Sequence, residues 1–468
     1  MMGLLPFVLA FMLGLVLFLP LRKVLFGSRE PPNLPNGTMG FPLVGETLGY
    51  LKPHKSTSLG SFLERHCSRY GKVFKSHLFG CRTVVSCDHE LNVFVLQNEG
   101  KLFQSSYPGS VVGILGKNSI LLVTGDLHKK LRGLAVGFGS ASRSKPDFFQ
   151  FVDKLARLLV ESWRGKPQIR FYKEAKRFTM DVMLKYVFDM ESQDPLAPKI
   201  LEDFLTFMEG FVSIPVPIPG MSFHKATKAR ARLTSTVKQI IREREKREKF
   251  EKGDFLDEIM QRENLCEEEK VSVALDILLA GYETTSGLLA LLVYFVAQAP
   301  PSVLQRLKEE HQALRIRKKE DESLSMEDVK QMEFTATVIS ETLRCGNLVK
   351  FVHRKALQDV KFKGYVIPAG WKVLPVLAAS NLDPSLHQRP SEFNPSRWTD
   401  QTTSKKIVSF GGGARLCPGV DFAKVEASFF LHHLVLNYRW KTQGEEYPIS
   451  RPYLDFNKGL VVDMEPTE

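Results

Sequence analysis

A mainly α-helical body with a smaller β-rich part is the fold class this sequence predicts, on three observations. Apolar residues recur at helical spacing from about residue 145 to 345. Short β-like runs lie beside turn signals near 70–95 and 358–377. One mainly apolar run, Val271 to Ala299, closes at Pro300-Pro301 and reads as a single long helix. Hydrophobic residues at 43% and charged residues at 25% supply an ordinary globular balance with enough apolar material for a large core.

The 468 residues exceed the usual single-core size, which by length alone allows two or three domains. Leu4 to Leu21 is eighteen residues without a charge, followed at once by Arg22 and Lys23. This run is slightly short of the ~20 residues a spanning helix needs, but adequate. A cleaved signal peptide is the competing reading, but no basic region precedes the run and no clear small-residue cleavage site follows it. The cations predict a cytosolic flank and a cytosolic catalytic part. A Pro/Gly-rich stretch through Pro31-Pro32, Pro35, Gly37, Gly40 and Pro42 then reads as a semi-rigid spacer. The expected boundaries are therefore an N-terminal membrane anchor over 1–25, a linker over 26–45 and a catalytic domain over 46–468. Asn36-Gly37-Thr38 has the form of a glycosylation acceptor, which the cytosolic placement leaves unmodified.

In the body, Lys72-Val73-Phe74 and Thr83-Val84-Val85 read as strands, as do Val360 to Phe362, Tyr365 to Ile367 and Val373 to Val376, broken by Gly364 and Pro368. The long apolar run could be a second membrane span, but Asp276 and Glu283 would be costly at mid-bilayer depth, so a helix threading the core of a large globule fits better. Phe211 to Gly220, with prolines at 215, 217 and 219, can be neither helix nor inner strand. It is either a buried irregular loop or an exposed apolar one at a membrane or access route. Arg242 to Lys249 alternates in sign, as a solvated helix face does. The net charge of +12 suits an anionic membrane surface or an acidic protein partner, and no zinc-finger spacing or aromatic-interleaved basic motif supports nucleic acid. The six cysteines form no C-x-x-C pair and are too sparse for a disulfide framework, which favours a reduced compartment.

The chemistry concentrates in Phe410-Gly411-Gly412-Gly413-Ala414-Arg415-Leu416-Cys417-Pro418-Gly419. Each position has a reason if a haem lies against it. A cysteine thiolate on iron pushes electron density toward bound dioxygen and favours O–O cleavage. Backbone N–H groups of a Gly-rich turn can shield and hold such a sulfur. Gly413 and Gly419 would let the backbone approach the ring, Arg415 would pair with a propionate, and Phe410 would keep water from the sulfur side. Helical spacing resumes through Phe422, Val425, Phe429 and Leu436, so a helix N-terminus follows the loop.

This F-x-x-G-x-R-x-C-x-G pattern resembles the haem-binding signature of the cytochrome P450 family, and the resemblance runs from the anchor nearly to the chain's end. It implies the cytochrome P450 fold, a long central helix over the haem, and Cys417 as the iron ligand. Ala280-Gly281-Tyr282-Glu283-Thr284-Thr285 resembles the family's oxygen-activation motif. Gly281 would leave room above the iron, Thr284 would bond the residue 280 carbonyl and loosen the helix, and Glu283 with Thr284 would relay protons as catalytic groups. Glu341-Thr342-Leu343-Arg344 with Arg397 resembles a structural Glu-Arg-Arg cluster. His128, where many members have Trp, together with Arg132 and Arg354 are the other expected haem-binding residues.

The implied reaction is monooxygenation with O2. The chain has no dinucleotide-binding glycine fingerprint, so a separate reductase is expected, and the resemblance implies NADPH-cytochrome P450 reductase with electrons from NADPH. The resemblance implies a single pass in the endoplasmic reticulum membrane. Within plant steroid hydroxylases, the stretch Arg344 to Leu357 with His128 looks closest to brassinosteroid C-22 hydroxylases. A sterol is thus the expected substrate, with another sterol position or a triterpenoid as alternatives. A haem-thiolate isomerase typically lacks the helix threonine, and a non-catalytic haem-binding membrane protein needs no proton relay.

Overall fold

The computed structural model describes residues 12, 14, 32–41, 45–144, 146–213, 215–246, 253–319, 322–451 and 453–467. All of the expected anchor except residues 12 and 14, part of the linker and the end of the alternating charge run lie outside the described residues.

Both predicted strand regions meet in one sheet. Strands β1 (Val73–Leu78), β2 (Cys81–Ser86), β3 (Phe103–Ser105), β4 (Arg354–Ala356) and β5 (Lys372–Pro375) lie in the order β1-β2-β5-β4-β3. The β1–β2 hairpin turns at Phe79-Gly80, both with positive φ, and β2 runs parallel to β5. Val360–Phe362 and Tyr365–Ile367 pair as a separate hairpin through Lys363-Gly364. The sequence reading missed β3 and β4, each three residues long and recognisable only by its partners.

The rest is helical. The helices that matter below are α1 (His89–Gln97), α2 (Gly125–Ser144), α3 (Pro146–Glu161), α4 (Phe171–Phe188), α5 (Ala197–Met208), α6 (Ser222–Glu245), α7 (Glu267–Gln298), α8 (Glu333–Gly346) and α9 (Val420–Asn437). The apolar run becomes α7, 32 residues long, hence about 48 Å at 1.5 Å per residue. A capping box between Cys266 and Glu269 starts it, and Pro300 follows its end. Helices α4, α8 and α9 pack around it, which is why residues from Val271 to Val296 are mostly buried. By length and composition alone α7 could cross a membrane, but its apolar surface is already covered by protein.

Phe211 to Gly220 follows its prolines. A 3₁₀ turn covers Glu209–Val212, and residues 215–221 are exposed, with Val216, Ile218 and Met221 presenting apolar surface. Glu426, fully buried in α9, has no hydrogen-bond partner among the described residues. Burial pushes its carboxyl well above the usual carboxylate range.

The Glu-Arg-Arg cluster is a buried node. Glu341 and Arg344 are both fully buried, with Arg344 Nε donating to Glu341 Oε2 at 2.9 Å and Nη2 to Oε1 at 2.8 Å. Arg397 Nε reaches Oε1 at 3.3 Å, the Trp398 indole donates to Oε2 at 3.0 Å, and the Asn394 N–H to Oε1 at 2.9 Å. Arg344 also donates to the carbonyls of Asn381, Pro390 and Glu392. These bonds hold the largely irregular segment leading to Cys417. Arg344→Ala should therefore lower unfolding stability by about 3–5 kcal/mol, because it strands a buried carboxylate. Denaturant titration of the purified chain reads this directly.

Candidate active site

Cys417 lies between a 3₁₀ turn, Gly413–Arg415, and α9, whose N-cap is Gly419. The Cys417 N–H donates to the Phe410 carbonyl at 3.0 Å, closing the loop on itself. Burial pushes the thiol's pKa up, while the Gly419 N–H and the nearby Arg132 charge pull it down. Helix α2 crosses the loop so closely that a Cβ on Gly139 would stand 2.8 Å from the Pro418 carbonyl oxygen. Phe410 is half-buried and packs on the main core.

Of the two motif glycines, Gly413 has a reason within the protein itself. Gly413 has φ +61°, and a Cβ there would stand 2.1 Å from the carbonyl oxygen of Leu96 in α1. Glycine is required where the loop crosses the end of that helix. At Gly419 a Cβ would lie 3.9 Å from Cys417 Sγ, an ordinary contact.

On α7 the buried pattern breaks at two residues. Ala280 and Thr284 are exposed, one turn apart, while their neighbours along the helix are buried or half-buried. The Thr284 hydroxyl donates to the Ala280 carbonyl at 2.6 Å, the expected bond. Gly281 departs from expectation: a Cβ on it would stand 2.2 Å from Met183 Sδ of α4, so the space it leaves faces α4 and is filled. The small residue on the open face is Ala280.

Glu283 also points toward α4. Tyr172 donates to its Oε1 at 3.4 Å and Lys176 Nζ lies 3.8 Å from Oε2. Burial raises the Glu283 pKa, opposed by Lys176 and Tyr172. The acid and the alcohol are sequence neighbours but face different ways, Thr284 to the open side and Glu283 to a half-buried base and a buried phenol.

The expected haem-binding cations do come together. His128 is buried and its imidazole is pushed down to about 4, by desolvation first, then by Arg415 and Arg132, with Arg354 adding to the effect. It is therefore neutral near pH 7 and can still donate one N–H. Arg415 donates to the carbonyls of Ile120, Leu121 and Val123, and its Nε lies 2.7 Å from Glu99 Oε1. Arg354 Nε stands 2.7 Å from Glu99 Oε2; the N–H is not aligned on the oxygen, so this contact is electrostatic. Arg132 is close enough to Cys417 for each to shift the other's titration.

This neighbourhood fits an iron porphyrin. Three guanidiniums against one carboxylate leave two positive charges in a partly desolvated place, the number two propionates neutralise. A cysteine at a helix N-terminus with an N–H aimed at its sulfur is a donor suited to iron. In kind, then, the site is that of a haem-thiolate protein.

Comparison with known proteins gives the family. A family model described as Cytochrome P450 matches residues 35–463. The chain is 52% identical to a rice protein (Oryza sativa subsp. japonica) named Cytochrome P450 724B1, over 98% of this chain and 96% of the relative. It is 44% identical to cholesterol 22-monohydroxylase CYP90B52 of Paris polyphylla, over 96% and 99% of the two chains. It is also 44% identical to a steroid (22S)-hydroxylase of Brachypodium distachyon, over 93% and 88%. Among solved structures, the retinoic acid-bound cyanobacterial CYP120A1 superposes with a TM-score of 0.83 at 26% identity, covering 94% of this chain and all of that one. The chain belongs to the cytochrome P450 family. It is a monooxygenase-class oxidoreductase whose cofactor is haem.

Sequence reasoning gave no role to Glu99, none to the Ala280 side chain, and none to Asp276 beyond the cost of an acid in a membrane. Asp276 lies one turn before Ala280, and its carboxylate accepts the Ser119 hydroxyl at 2.9 Å and the Ile120 N–H at 2.6 Å. Burial pushes it up to about 7, against those bonds and the Arg230 charge. It ties the 119–120 loop to α7, beside the carbonyls that Arg415 binds.

The two glycines separate by experiment. At Gly281 the obstacle to alanine is a flexible methionine, whereas at Gly413 it is backbone and φ is positive. Thermal unfolding should show Gly413→Ala losing clearly more than Gly281→Ala, with Gly281→Ala within the ~1–3 kcal/mol of ordinary overpacking.

Proposed function

We propose that this chain is a membrane-bound sterol monooxygenase that hydroxylates the side chain at C-22, as in brassinosteroid biosynthesis. Its electrons come from NADPH through a separate reductase. Residues 1–25 serve as a single-pass anchor in the endoplasmic reticulum membrane, 26–45 as linker, and the remainder as a cytosolic catalytic domain. Support for the anchor is the charge-free run ending at Arg22-Lys23, which precedes the family match. The C-22 assignment is supported by the relatives whose names specify 22-hydroxylation of cholesterol or a steroid across more than nine-tenths of this chain. The rice protein at 52% identity has a name that specifies no position.

The monooxygenase chemistry is carried by one observation, the Thr284–Ala280 bond on the open face of α7. In this reading Cys417 is the proximal ligand, and the haem supplies dioxygen binding and O–O cleavage. The chain's residues do the rest. The Gly419 N–H and Arg132 favour the charged sulfur. Arg354, Arg415, Arg132 and His128 hold the propionates. Thr284 holds a proton at Oγ1, shared with the Ala280 carbonyl on the exposed side of a helix that stays unbroken there. Glu283, with its pKa raised, exchanges a proton with Tyr172 or Lys176 on one side and delivers it toward Thr284 by rotation. The apolar segments around 107–122 and 204–221 suit a sterol body.

Reconstitution of the purified chain with a P450 reductase, NADPH and a panel of sterols and triterpenoids tests the proposal. A 22-hydroxysterol is the expected product; oxidation only at another carbon, or only of a triterpenoid, removes the substrate assignment. In the same assay Thr284→Ala should keep the wild-type carbonyl spectrum yet lose about 10²–10⁴-fold in product formed. NADPH oxidation should continue, with hydrogen peroxide accumulating. Product yield per NADPH equal to wild type would contradict the role given to Thr284.

A further inference from the structure

Glu99 has no role in the reaction as described, yet it touches two residues the site needs. It follows α1 in the tight turn Asn98 to Phe103, where the Gly100 N–H closes onto the Phe103 carbonyl with φ +80°. Its side chain is 6% exposed. Oε1 accepts the Ser105 N–H at 3.0 Å and lies 2.7 Å from Arg415 Nε; Oε2 lies 2.7 Å from Arg354 Nε. One carboxylate thus bridges a guanidinium from the cysteine loop and one from β4.

We propose that Glu99 is a positioning residue for the haem, clamping the Nε edges of Arg354 and Arg415 so that both guanidiniums are set to receive the propionates. This rests on the reading of those arginines as propionate partners. Guanidinium is a rigid planar fork of five donors, so fixing one edge fixes the plane and the direction of the remaining N–H groups. Arg415 spends its terminal nitrogens largely on the carbonyls of residues 120, 121 and 123. Arg354 gives Nη1 to the His353 carbonyl, and among the described residues its Nη2 has no acceptor. Without an anion between them these two cations, each with its Nε 2.7 Å from an oxygen of the same carboxylate, would repel and turn apart. Glu99 cancels that repulsion while leaving a net positive cluster. The bond it accepts from the Ser105 N–H adds registry, because Ser105 also donates its hydroxyl to the Leu121 carbonyl, an acceptor shared with Arg415.

The experiment uses the full-length haem-loaded chain with Glu99→Gln, Glu99→Asp, Arg354→Gln and Arg415→Gln. Two quantities are read: the rate of haem transfer to apomyoglobin, and the ferric/ferrous midpoint potential. Glu99→Gln keeps the side chain's size but removes the charge, so haem transfer should accelerate about tenfold or more and the potential should move positive. A residue that only braces the turn would not move the potential. Glu99→Asp keeps the charge but is too short to reach both guanidiniums, so it should release haem faster at a near wild-type potential. Glu99→Gln indistinguishable from wild type in both readouts, while Arg354→Gln and Arg415→Gln lose haem quickly, overturns the proposal and leaves the arginine reading standing. Arginine variants that hold haem as wild type does remove the underlying reading and the proposal with it. If Glu99→Gln does not fold, Glu99→Asp decides: unchanged haem release overturns the proposal, and faster release at an unchanged potential supports it.

Discussion

The carboxylate of Glu341, fully buried, is the interaction on which the position of Cys417 depends. The chain between Asn381 and Val420 contains only short 3₁₀ turns, so no helix or sheet ladder holds it. Its course is set instead by bonds to Glu341 and by the three carbonyls that Arg344 takes from it. Leaving a charge of either sign unpaired there would be expensive, and that cost makes the arrangement all-or-none. A loop so anchored can carry a cysteine to the end of α9 with little freedom of its own.

From that fixed point the site divides between two helices. Helix α9 begins beside the sulfur and presents its N–H end to it, while α7 exposes Ala280 and Thr284 without a break in its helix. Acid and alcohol are adjacent in sequence but lie on different faces of α7. The proton path of the proposed reaction therefore includes α4, through Tyr172 and Lys176, as well as the helix that carries the motif. A buried glutamate with a raised pKa, tethered loosely at 3.4 and 3.8 Å, can give up its partners more readily than one locked in a short ion pair.

Much of this was legible in the sequence where the signal was local. The long apolar run and the strands broken by glycine and proline follow from periodicity, while the roles of the cysteine loop, Thr284 and the Glu-Arg-Arg trio came from resemblance to the family. Gly281 was misread although the spacing held the answer: the residue one turn before Thr284 is 280, and 281 is rotated about 100° from it on a 3.6-residue helix. Gly413 was singled out for approach to the ring; the structure adds the backbone of Leu96, a neighbour that no local pattern reveals. Glu99 carried no signal, since a single acid in a turn after a helix is common and its two arginines are supplied by distant parts of the chain. Strands β3 and β4 were missed for the same reason, being too short to show a period.

The central claim is that Cys417 gives this protein a thiolate-ligated haem. The most direct measurement is the reduced carbon monoxide difference spectrum of the purified chain beside Cys417→Ala, with haem content measured on both. The account predicts the red-shifted carbonyl Soret band of thiolate ligation in the wild type, from about one haem per chain. It predicts that this band is lost in Cys417→Ala. Persistence of the band in Cys417→Ala, or its absence from a wild-type chain fully loaded with haem, would contradict it.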